Sequence, residues 1–327
     1  MRTIDETTGR DGRSHTTAAR GRAARAAVPT IPLHRHAGSP GRPRQFTPVP
    51  AAASTGVTAL LRGPVRRARI VASTPTGVYL HVPGERDGDV VAVLTSDAAR
   101  LPLGCVLFRP STGRPLVSPT AAAEVGGGRI VVGDLAVSAA AWWDPRPRLP
   151  SARPALLPEG VRQLRTTLYG EGVPHSAFAL PGLPTGPGGP LAALRGAVRR
   201  ADLDAALRTA TRLIGVGPGL TPAGDDVMAG TIAGLVLLGH PAAPRFAAGV
   251  TALAACRTTE LSRALLRHAA AGRVSGEYAA VLHALVGEGS LAAAVDALLS
   301  SGPTGNRATA LGLCTAIDLV ERTTRGR

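Results

Sequence analysis

Apolar residues recur at helical spacing through the second half of the chain. Residues 191–200, 202–214, 221–239, 245–256, 259–271, 276–286, 290–299 and 305–322 each carry an Ala/Leu-rich face, the first two joined at Ala201 and most of the others separated by Gly or Pro breaks. That period predicts a compact helical domain over 191–327. Asp202 stands where a helix N-cap is wanted. The first half reads differently. Short apolar or alternating runs at 57–61, 69–72, 78–82, 90–94, 106–109 and 129–132 are separated by turn chemistry: Pro75-Thr76-Gly77, Pro83-Gly84, Asp87-Gly88-Asp89 and Gly126-Gly127-Gly128. Such spacing predicts a small β-rich barrel or sandwich over 51–145. The chain is therefore an α+β protein, β-rich first and all-helical afterwards.

Two stretches lack such a period. Residues 1–50 are rich in Arg, Thr, Ala, Gly and Pro, and are expected to form a disordered basic tail. A targeting peptide and an overlong start assignment are both open for it. Residues 146–190 form a Pro/Gly-rich linker with one helical stretch at 160–169. A long ordered loop of this kind is often functional, and closure over a neighbouring site is open. Trp142-Trp143 are expected to follow the last strand, plugging the domain boundary or marking a partner interface.

Composition changes the picture in three places. Aromatic residues make up only 3% of the chain, so the core must rest on Ala, Val and Leu. The formal net charge is +15, but it forms no dense cluster. Nine arginines face three acids in residues 1–50, and 28 face 19 across the rest. With few aromatics for base stacking, nucleic acid is not expected as a partner. No apolar run approaches the length that spans a bilayer, and no secretory segment follows the start, so no membrane partner is expected and a cytoplasmic location is. Cys105, Cys256 and Cys314 are isolated, which argues against a zinc site or a disulfide framework.

The candidate chemistry lies in Gly215-Val216-Gly217-Pro218-Gly219-Leu220-Thr221-Pro222-Ala223-Gly224-Asp225-Asp226. Three alternating glycines make a loop that can approach a ligand or another backbone closely. Thr221 is placed to cap the next helix, with Pro222 in its first position and both aspartates in its first turn. One reading is an anion pocket, or a metal such as Mg2+ held by Asp225 and Asp226. The other is a tight turn with a cap and dipole-compensating acids. A Walker loop is excluded because the chain has no lysine, and a dinucleotide fingerprint because the spacing is Gly-x-Gly-x-Gly after a helical run. Arg257 could present a guanidinium to a carboxylate or phosphate, with Thr258 beside it, or could pair with Glu260.

The twelve-residue run resembles the signature of a bacterial family, long catalogued as a domain of unknown function, that includes the AllH-type subunit of oxamate carbamoyltransferase. The resemblance continues in Arg257-Thr258-Thr259-Glu260-Leu261-Ser262 and in the late turn Ser301-Gly302-Pro303-Thr304-Gly305-Asn306. It implies one subunit, among companion subunits, of an assembly converting oxalurate and phosphate to oxamate and carbamoyl phosphate. The anion-binding residues would be Gly215, Gly217, Gly219, Leu220, Thr221, Gly224, Arg257, Thr258, Thr304 and Gly305. The alternatives are a non-catalytic scaffold or interaction subunit, or an enzyme acting on another carbamoyl or phosphorylated small molecule. Pro303, near the family's usual histidine, and the lack of a catalytic dyad favour the scaffold.

Overall fold

The computed structural model describes residues 47–84, 88–151, 154–169, 180, 182–184, 186, 188–300 and 305–325. Its first half is a closed eight-stranded barrel. The strands are β1 (Val49–Ser54), β2 (Arg66–Thr74), β3 (Gly77–Val82), β4 (Asp89–Leu94), β5 (Gly104–Leu107), β6 (Ala123–Gly126), β7 (Arg129–Val132) and β8 (Leu135–Trp143). They run in the order β1-β5-β4-β3-β2-β6-β7-β8, and closure leaves no free edge. The β1/β8 and β4/β5 pairs are parallel and the others antiparallel. Gly127 and Gly128 both have positive φ (60° and 83°), as a two-residue hairpin with matching twist requires. Gly88 has φ 69° in the β3–β4 turn; Asp87 of the expected Asp-Gly pair lies outside the described residues.

Four readings of this half need correction. Residues 57–61 are not a strand: a 3-10 turn (Thr55–Val57) leads into α1 (Thr58–Arg62). Val57, Leu60 and Leu61 are buried at helical spacing, and the Ser54 hydroxyl accepts from the Gly56 N–H to start the turn. The run at 106–109 starts earlier and ends at Leu107, leaving Phe108 exposed. Trp142 and Trp143 belong to the last strand itself, opposite Ala53 and Ser54. An arginine stacks on each ring, Arg62 at 5.3 Å and Arg100 at 5.0 Å. β1 also begins at Val49, inside the stretch expected to be disordered; residues 1–46 lie outside the described residues.

The second half is helical: α2 (Pro158–Tyr169), α3 (Pro190–Arg199), α4 (Leu203–Ala210), α5 (Ala223–Leu237), α6 (Ala243–Ala254), α7 (Glu260–Ala270), α8 (Gly276–Leu285), α9 (Leu291–Ser300) and α10 (Gly305–Arg325). Asp202 caps α4 by accepting from the Ala205 N–H. The helix expected to run to 214 ends at Ala210, because the chain must turn into Gly215, which has φ 79°. α5 is the axis of this half and is buried on nearly every side. α10 runs along it, with Gly234 so near α10 that an added Cβ would lie 2.6 Å from the Ala316 Cβ. Among the described residues no helix is long and apolar enough to cross a membrane.

α7 joins the two halves. Leu261 and Ala264 are part of the barrel's hydrophobic cluster, and α7 packs on β4, which explains why β4 is apolar on both faces. Arg69 Nη2 donates to both Glu260 oxygens at 2.6 and 2.5 Å, and Arg267 Nη2 to Asp89 at 3.0 Å. Burial alone would push the Glu260 carboxyl up, but Arg69 and the neighbouring His81 and Arg263 hold it below its ordinary range. A carboxyl lowered in this way stabilises the fold above its ordinary pKa, and the gain is lost as pH falls through the folded value. Because Arg69 is well exposed, Glu260→Gln should cost only about 0.5–1 kcal/mol in urea denaturation at neutral pH. The gap between the two proteins should close in acid.

Candidate functional site

The Gly-rich loop is fixed from below by its own carboxylate. Asp225 Oδ1 accepts from the Gly215 N–H at 2.8 Å, and Oδ2 accepts a short hydrogen bond from the Thr258 hydroxyl. The Gly224 N–H donates to the Val216 carbonyl at 2.9 Å, closing the loop onto the first turn of α5. Any side chain at Gly215 would run into the Arg257 carbonyl, and any at Gly224 into that of Leu213. Gly215, Gly224, Asp225 and Thr258 thus hold one another. Asp225 is buried, and burial raises its pKa against the pull of Thr258 and the Gly215 N–H. Asp225→Ala strands a donor and a hydroxyl, and should cost about 1–3 kcal/mol in chemical denaturation.

The outer part of the loop is differently placed. Gly217 and Gly219 have φ 122° and 97°, and Gly219 faces open space. The N–H groups of Gly217, Gly219, Leu220 and Thr221 have no hydrogen-bond partner among the described residues. The linker does reach the loop: an added Cβ at Gly182 would lie 3.0 Å from Gly217 Cα and 2.9 Å from Pro218 Cδ. On the inner side the Thr259 hydroxyl donates to the Leu220 carbonyl at 2.7 Å and caps α7 through the Ser262 N–H. Thr221 does not cap α5; Pro222 is the N-cap residue and offers no side-chain bond.

Adjacent helical residues point about 100° apart, and the two aspartates separate accordingly. Asp225 faces the loop and Thr258, whereas Asp226 faces a cavity of about 280 Å³ between the barrel and α5, α7, α8 and α10. Leu220, Thr221 and Gly305 stand beside Asp226 at this cavity. Asp226 Oδ2 is buried and has no hydrogen-bond partner among the described residues. Burial, and then the charge of Asp225, push the carboxyl well above the ordinary carboxylate range, against the Thr221 hydroxyl. An added Cβ on Gly305 would lie 2.9 Å from Oδ2, so glycine there lets α10 start against the acid. Tyr79 and Leu101 of the barrel and Leu261 and Leu265 of α7 form much of the remaining wall, which also contains Arg273.

Of the residues singled out from sequence, Leu220, Thr221, Asp226 and Gly305 therefore meet at one cavity. Gly217 and Gly219 lie in the outer loop. Arg257 is exposed, away from the cavity wall, and donates to the Thr211 carbonyl at 2.8 Å. It does not pair with Glu260, whose partner is Arg69. Thr304 lies outside the described residues. Among the described residues no group of three or more His, Cys, Asp or Glu side chains stands together to hold a metal. Asp225 and Asp226 themselves face different surroundings, the first the loop and Thr258, the second the cavity. Arg273 was missed; among 37 Lys and Arg positions, all arginine, nothing local distinguishes it.

The loop, α5, α7 and the start of α10 lie within one continuous segment, and that segment decides the family comparison. Residues 213–317 match the family of oxamate carbamoyltransferase subunit AllH. The AllH match begins at Leu213, two residues before the first glycine of the loop, and ends within α10, spanning less than half of the chain. It includes every helical residue placed around the cavity above and none of the barrel. It also bears out the resemblance carried by the Gly-rich run and by Arg257–Ser262. No curated protein and no solved structure matches the chain.

Proposed function

We propose that the chain is an AllH-type subunit of an oxamate carbamoyltransferase-like assembly, working beside companion subunits and holding a small anionic reactant in the cavity at Asp226. In that reaction a phosphate oxygen bonds to the carbamoyl carbon of oxalurate. The carbon–nitrogen bond to the oxamate portion breaks, and the departing nitrogen takes a proton. Catalysis requires alignment of the two reactants and donors aimed at the oxygen on which charge develops. Asp226 in its neutral form is such a donor. Arg273 would meet a carboxylate, and the N–H groups of Gly217, Gly219, Leu220 and Thr221 would take phosphate oxygens at the mouth. Mg2+ would neutralise phosphate charge if it enters with that reactant. The observation that carries this reading is the buried, unpartnered Asp226 oxygen inside the AllH-matching segment.

The apolar wall around Leu101, Leu261 and Leu265 supports a second reading within the same class, a carbamoyl or phosphorylated molecule with a hydrocarbon body. Purification of a tagged full chain from its own cells tests the assembly. Co-purification of companion subunits, with release of carbamoyl phosphate from oxalurate and phosphate, is the expected result. A tagged protein that runs alone and an inert preparation would remove the transferase assignment.

A further inference from the structure

A second cavity, of about 310 Å³, lies between the turn that opens α1 and the C-terminal half of α7. Its charged and titratable wall consists of Asp89, Arg267, His268 and Arg273. Arg267 is engaged, donating to the Gly88 carbonyl and to Asp89, each at 3.0 Å. Arg273 is not: its guanidinium makes no hydrogen bond or ion pair among the described residues. The His268 ring packs against Gly56, and neither of its nitrogens has a hydrogen-bond partner among the described residues. Asp89 and Arg267 offset each other, which leaves one uncompensated guanidinium and one unpartnered imidazole facing the same space.

We propose that this cavity is a binding site for a small oxyanion, a phosphate or a carboxylate, held by Arg273 and by His268 with Arg267 at its edge. Guanidinium–oxyanion hydrogen bonds suit the planar fork of Arg273, and an imidazole N–H turned toward the cavity would add a third donor. Arg273 also lines the cavity at Asp226, so the two sites share one wall while differing in every other charged residue. The proposal stands on these residues and does not require the transferase reading.

The free protein supplies its own probe. Burial, and then the charge of Arg273, hold the His268 pKa down to about 4. An anion bound beside the ring favours its charged form and must raise that value. The His268 ring proton resonance of the full chain, assigned with His268→Gln, is followed during titration with inorganic phosphate and, separately, with acetate. Saturable movement with an upward pKa shift is expected for at least one of them, and the one that moves it names the chemistry. Arg273→Gln should weaken that response by about tenfold or more. Asp226→Ala should leave it intact, which separates this site from the first cavity. No saturable movement with either anion, or a response undiminished in Arg273→Gln, would overturn the proposal.

Discussion

Gly312→Ala is expected to destabilise the fold by about 3 kcal/mol or more, at the upper end of what overpacking a core costs. Gly312 sits on α10 where that helix meets α5. An added methyl would run into the Val227 carbonyl and lie 2.7 Å from the Thr231 N and 3.0 Å from the Gly230 carbonyl carbon. These are backbone atoms of a helix and cannot rotate away, so the two helices must part. Parting them breaks the bond from the Thr231 hydroxyl to the Gly312 carbonyl, 3.2 Å, inside a fully buried seam. Because Asp226 lies in the first turn of α5 and Gly305 starts α10, the same displacement opens the cavity. Gly196→Ala in α3 is the control. There the nearest atom outside the helix backbone is a flexible Arg200 nitrogen at 3.3 Å, and removing a helical glycine should stabilise by up to about 1 kcal/mol. Urea denaturation of both variants measures the contrast.

Asp226→Asn is expected to become more stable than the wild type as pH rises. The folded protein holds the Asp226 proton to a pH well above the ordinary carboxylate range. The unfolded chain releases it in the ordinary range. A carboxyl raised in this way contributes stability that is complete below the unfolded pKa and is lost as pH rises through the folded value. The variant has no such proton to lose. It should therefore match the wild type in acid and exceed it at about pH 8 by on the order of 1 kcal/mol or more. Thermal melts across that range check the sign. A variant less stable than the wild type at alkaline pH would mean that Asp226 is an ionised, structurally satisfied group.

Much of this was legible in the chain. Alternation and glycine turns mark most of the barrel because β-branched or aromatic residues recur in β3, β4 and β7. β1 and much of β8 escaped because Ala51, Ala52, Ala53, Ala139, Ala140 and Ala141 carry no strand preference; barrel closure places them. Residues 57–61 misled because five residues are too few to tell period 2 from period 3.6. The loop and its aspartates stood out because glycine, proline and acid spacing is local. Where each carboxylate points is not local: Thr258 claims Asp225 across 33 positions, and Gly305 meets Asp226 across 79. Arg257 drew notice for lying near a helix start, yet its guanidinium is taken by the Thr211 carbonyl. Arg273, behind the Gly272 turn, is the arginine that reaches the cavity.

The most direct measurement is calorimetric titration of the full chain with phosphate, carbamoyl phosphate and oxamate, with and without magnesium, in the wild type and in Asp226→Ala. Saturable binding of at least one ligand, weakened about tenfold or more in the folded variant, is the expected result. No saturable heat with any ligand, or equal affinity for every ligand in the two proteins, would contradict a substrate site at Asp226.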